Sequence, residues 1–133
     1  MYNSKKVGKM SKNIENTRID KYEYKRIMTN RINEVLESEK GTDFNALIFK
    51  GYIEKNGANN LVLSLNQQGY RVITPYGFRK WLTTDIRKWV LKRENQENIN
   101  KDLANIVVTM INYTGKASFE QRLFRSMKKV FKL

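Results

Sequence analysis

Apolar residues return at intervals of three and four in four separate stretches of this 133-residue chain, and that period commits most of it to amphipathic helices. The last stretch is the cleanest. Across 118–132, Phe119, Leu123, Phe124, Met127, Val130 and Phe131 take one half of a helical projection, while Arg122, Arg125, Lys128, Lys129 and Lys132 take the other. Ser118 and Gln121 have the spacing of a capping box at its start. Residues 100–113 turn Leu103, Ile106, Val107, Met110 and Ile111 inward, and Gly115 ends them. Residues 18–39 align Tyr24, Met28, Ile32, Val35 and Leu36, with Gly41 as the stop. The spacing predicts a further helix over 75–93, with Thr74 as N-cap and Pro75 at the first helical position, where its missing N–H costs nothing. Phe78, Trp81, Leu82, Ile86, Trp89 and Val90 would form its apolar face.

The segments between carry weaker signals. Residues 43–56 fit a helix capped by Thr42 or Asp43, and their content also suits a strand, with the helix slightly preferred. Residues 61–74 read as a β-hairpin, because Leu61-Val62-Leu63-Ser64-Leu65 and Tyr70-Arg71-Val72-Ile73 both alternate around Asn66-Gln67-Gln68-Gly69. Residues 94–99 read as a polar link. Residues 1–17, with Lys5, Lys6, Lys9 and Lys12 and almost no large apolar side chain, read as a flexible basic arm; Met10 is an alternative start. The expected fold class is therefore α+β: one small, mainly helical domain over 18–133 with a single hairpin or short meander. It is winged-helix-like at most by analogy, since only one candidate helix lies between the first helix and the hairpin.

Charge bears on function rather than fold. Lys and Arg number 26 against 13 acids, for a net charge of +13. Such a chain attracts polyanions, and for a small basic domain nucleic acid is the expected partner. The excess is local. It lies in the arm, in 75–93, where six cations face only Asp85, and in 116–133, where six face only Glu120. On a helix over 75–93, Lys80, Thr84, Arg87, Lys88 and Leu91 form one outward strip that could enter a major groove or lie across phosphates. The candidate nucleic-acid contacts are therefore Arg71, Arg79, Lys80, Thr84, Arg87, Lys88, Arg122, Arg125, Lys128, Lys129 and Lys132. Trp81 and Trp89 fall on the inward face and read as core. Tyr70 and Tyr76, near the turn, are better placed to stack on bases.

Catalytic chemistry has little to stand on. There is no cysteine or histidine, which removes disulfides, zinc fingers and Cys or His catalysis. The acids are scattered, so a two-metal centre is not expected, and Glu34, Glu37 and Glu39 read as a solvated face. No Gly-rich phosphate loop is present. A tyrosine nucleophile supported by Arg71 or Arg79 is chemically conceivable and weakly signalled. No apolar run approaches the roughly 20 residues of a membrane span. The sequence thus predicts a cytoplasmic, non-enzymatic DNA- or RNA-binding accessory or regulatory protein, DNA somewhat favoured, with no metal or cofactor. Homodimerisation is left open. The alternative is an interaction module that docks on a nucleic-acid enzyme or ribonucleoprotein, as accessory proteins of mobile elements do. An amphipathic membrane-surface helix over 118–133 is the third reading.

Overall fold

The computed structural model describes residues 20–133. Among these residues the architecture is α+β: seven helices and one antiparallel two-stranded hairpin. The order is α1 (Lys21–Ser38), α2 (Phe44–Glu54), α3 (Ala58–Gln67), β1 (Val72–Thr74), β2 (Gly77–Arg79), α4 (Thr83–Leu91), α5 (Arg93–Glu97), α6 (Lys101–Ile111) and α7 (Phe119–Phe131). The expected arm over 1–17 lies outside the described residues. By their contacts the described residues divide into two compact units, 20–32 and 33–133. Within the first, Asp20 accepts from the Glu23 N–H at the start of α1, and Glu23 pairs with Arg26 one turn on. None of the described helices is long and apolar enough to cross a membrane.

In the second unit the strongly periodic segments fold as their spacing requires. Asn100 caps α6 through the Leu103 N–H, and Ser118 and Gln121 bond reciprocally at the start of α7. Leu103, Ile106, Val107 and Met110 are fully enclosed on α6, which packs against α2, α4, α5 and α7. Ile48 and Phe49 of α2, Leu61 and Leu65 of α3, Ile86 and Val90 of α4 and Met127 of α7 are buried with them. Residues 43–56 resolve as helix, with Asp43 accepting from the Ala46 N–H.

The region 61–82 departs from expectation. Leu61 to Leu65 belong to a helix, not a strand. Leu61 and Leu65 are four residues apart and share a buried face in either conformation. Leu63 distinguishes the two: it is 60% exposed, on the far side of α3. Leucine also has a stronger helical than extended preference. The hairpin instead pairs Val72 with Arg79, Ile73 with Phe78 and Thr74 with Gly77. Thr74 is not a helix N-cap. Its hydroxyl accepts from the Tyr76 N–H and donates to the Gly77 carbonyl, closing the turn. Pro75 sits in that turn, because its fixed φ suits a turn as well as a first helical residue. The helix expected from residue 75 therefore begins at Thr83. Phe78, expected inward, is 76% exposed. The polar link over 94–99 holds the short helix α5.

Two glycines fix how α2 meets α3. A Cβ on Gly51 would lie 2.7 Å from Leu61 Cδ1, so only glycine admits this approach without displacement. Gly57 has φ of 114°, a region L-residues avoid, and ends the three-residue turn Lys55–Asn56–Gly57. Two helices, not one, thus lie between α1 and the hairpin.

Candidate nucleic-acid interface

The arginines and lysines expected to meet nucleic acid separate into two groups once placed. The arginines are largely held by the protein's own oxygens. Arg79 bonds both carboxylate oxygens of Asp85 at 2.8 Å each, and the Leu82 N–H donates to the same carboxylate, so one acid fixes the end of β2 to the start of α4. Its hydrogen bonds to Arg79, above all, hold the Asp85 carboxyl below its ordinary pKa, against the opposing effect of burial. The same bonds raise Arg79. Arg87 donates to the Ile111 carbonyl at 2.9 Å and to Asn112 Oδ1, which satisfies the carboxyl end of α6. Arg122 reaches Tyr52 Oη and the Met110 carbonyl and lies over the Phe119 ring. Arg125 bonds Tyr113 Oη. Arg71 donates to the Asn66 and Tyr70 carbonyls.

Of the lysines, Lys80, Lys88, Lys92, Lys129 and Lys132 are exposed. Lys80 lies in the connection before α4, so the outward strip of that helix holds Thr84, Arg87, Lys88 and Leu91 without it. The fold brings Arg87 and Arg122 to one hollow of about 320 Å³, beside Gly57 and Asn59 at the start of α3. Arg125 and Lys129 share another. Arg71 and Lys88 meet at a third, with Lys92.

The missed feature is α3. Its exposed residues Asn59, Asn60, Leu63 and Gln67 are uncharged, and none was a candidate while 61–65 read as strand and 66–69 as its turn. Asn60 is partly engaged, since its Nδ2 donates to the Lys55 carbonyl. The available signal was the Asn56-Gly57 break followed by leucines four apart.

The aromatic residues also regroup. Phe44 is the hub: its ring centroid is 4.9 Å from Tyr70, 5.5 Å from Trp81 and 5.3 Å from Trp89. Asn66 holds the Trp81 backbone from both sides, accepting from its N–H at 2.8 Å and donating to its carbonyl at 3.1 Å. Trp89 Nε1 donates to Asn45 Oδ1 at 2.8 Å. Trp81 is buried as expected, whereas Trp89 is only half-buried. At the hairpin, Tyr76 is 99% exposed, and the cross-strand pair Ile73 and Phe78 faces solvent.

No family model matches this chain, and no curated protein or solved structure gives a significant match.

Proposed function

We propose that this chain is a non-catalytic protein that binds nucleic acid, duplex DNA in preference to RNA, through α3, the hairpin and the outer side of α4. One observation carries the proposal: α2, a three-residue turn ending in Gly57, α3 and a hairpin follow one another directly. A helix–turn–helix unit presents its second helix to the major groove, and a following hairpin can lie along the backbone. The major groove of B-DNA admits a helix, while that of A-form RNA is too deep and narrow. Asn59 and Gln67 on the outer face of α3 have the amides that bond adenine N6 and N7 together, and Leu63 suits a thymine methyl. Lys80, Lys88 and Lys92 would meet phosphates, and the net charge of +13 favours the encounter. Its place of action on this reading is the cytoplasm.

The test is anisotropy of a labelled AT-rich duplex titrated with protein at several salt concentrations. Phosphate contacts by these three lysines give a log–log slope of about −3, from roughly −0.9 each. An affinity that does not change with salt would reject the proposal.

The Ile73–Phe78 pair favours a second reading, in which the hairpin docks on a protein that handles nucleic acid. Replacing both by lysine would then abolish assembly with that protein while leaving duplex affinity undiminished.

A further inference from the structure

The aromatic cluster does more than fill the interior. Phe44, Tyr70, Trp81 and Trp89 form one wall of a cavity of about 570 Å³ between the start of α2, β1 and α4. That volume lies within the range of small-molecule sites, about 300–1,000 Å³. Two observations point to an occupant. First, the wall is aromatic and part of it is open to solvent, with Phe44 and Trp89 half-buried and Tyr70 exposed. Secondly, Arg71, Lys88 and Lys92 also line the cavity. Asp85 lines it too, but its carboxylate is occupied by both bonds from Arg79 and by the Leu82 N–H, so its charge is compensated locally.

We propose that this cavity binds one unpaired nucleotide. The planar base lies against the aromatic wall, and the phosphate meets Lys88, Lys92 and Arg71. An apolar ligand would leave the cations without a counter-charge, and an inorganic anion would leave the aromatic wall unused. A nucleotide uses both. It can come from a single strand or as a free mononucleotide; either source presents the same chemistry. The strand form rests on the nucleic-acid reading above, whereas the mononucleotide form does not.

Both tryptophans of the chain lie in this wall, so intrinsic fluorescence reports on the cavity directly. The full chain is titrated with adenosine monophosphate, adenosine, inorganic phosphate, a single-stranded oligonucleotide and a duplex, with tryptophan emission excited at its red edge. In parallel, anisotropy of labelled single-stranded and duplex oligonucleotides measures overall binding. Saturable quenching by the monophosphate or the single strand is expected, with adenosine and phosphate alone much weaker. The double variant Lys88→Ala/Lys92→Ala, altered only at exposed positions, should weaken it at least about tenfold, the loss expected for removing charge-assisted bonds. Quenching by the single strand but not the monophosphate assigns the site to a strand; the reverse assigns it to a free nucleotide. If neither quenches while duplex anisotropy saturates, the cavity proposal is overturned and the DNA reading stands. If the monophosphate quenches and no oligonucleotide binds, the cavity proposal stands and the DNA reading falls.

Discussion

Residues 71–92 and helix α7 carry comparable runs of cations in different settings. Around the first, Ile73, Tyr76, Phe78, Leu82 and Leu91 are exposed large apolar side chains among the charges. On α7 the apolar half is turned inward, with Leu123 and Met127 buried and Val130 and Phe131 half-buried. An amphipathic helix such as α7 is accounted for by packing and solvation alone. Exposed apolar residues interleaved with lysines are not, because burial in water-excluded structure is what such side chains otherwise gain. On the proposed reading, the contrast favours the α3–hairpin–α4 side for recognition and a mainly structural role for α7. It also separates cation types. In both regions arginines bond the protein's own carbonyls, phenols or carboxylates, which the planar guanidinium suits.

Three perturbations would break or sharpen this contrast. The largest stability effect is expected at Gly51→Ala. Its new methyl would collide with buried Leu61 and force α3 away from α2, costing about 1–3 kcal/mol in denaturant unfolding. Duplex affinity should fall with it, whereas a purely structural role for α3 would leave the affinity of the folded fraction unchanged. Arg87→Ala comes next. Loss of two bonds at the end of α6 should cost about 1 kcal/mol, against less than about 0.5 for Lys88→Ala. In duplex binding the order should invert, with Lys88→Ala the more damaging.

The smallest effect concerns acid. The Asp85 carboxyl is held below its ordinary pKa by Arg79 when the chain is folded. Its stabilising contribution is therefore fully present above the unfolded carboxyl range, near pH 4, and is lost as pH falls through the depressed folded value. Thermal melts of the wild type and Asp85→Asn at neutral and acid pH should show the two proteins converging at low pH. A constant gap would mean that the Arg79–Asp85 bonds do not couple to folding.

Much of this was legible in the sequence, and the exceptions have physical causes. Helices α1, α6 and α7 have an unbroken helical period, and α7 carries the expected cap at Ser118; the Asn100 cap of α6 was not anticipated. From residue 58 to 82 each signal fitted two structures. Leu61 and Leu65 share a face in both a helix and a strand, and Pro75 suits both a helix start and a turn. Reading 61–65 as strand and 66–69 as its turn concealed Leu63 and Gln67, Asn59 lay outside any expected element, and extending α4 back to residue 75 placed Lys80 on a helix it does not join. The location of the cations was legible from composition. Which of them are bonded internally was not, because Ile111, Met110 and Tyr113 are distant in sequence from Arg87, Arg122 and Arg125.

The most direct measurement compares duplex DNA binding, at two salt concentrations, by the wild type and two charge-reversed variants. One carries Lys80→Glu, Lys88→Glu and Lys92→Glu; the other carries Lys116→Glu, Lys129→Glu and Lys132→Glu. All six lysines are exposed, so folding should survive in both. The first variant should lose about a hundredfold or more in affinity and reduce the salt slope by about 3, one unit for each phosphate contact. The second should lose far less, through long-range charge alone. Equal losses in the two variants, or a larger loss in the second, would contradict recognition through α3, the hairpin and α4.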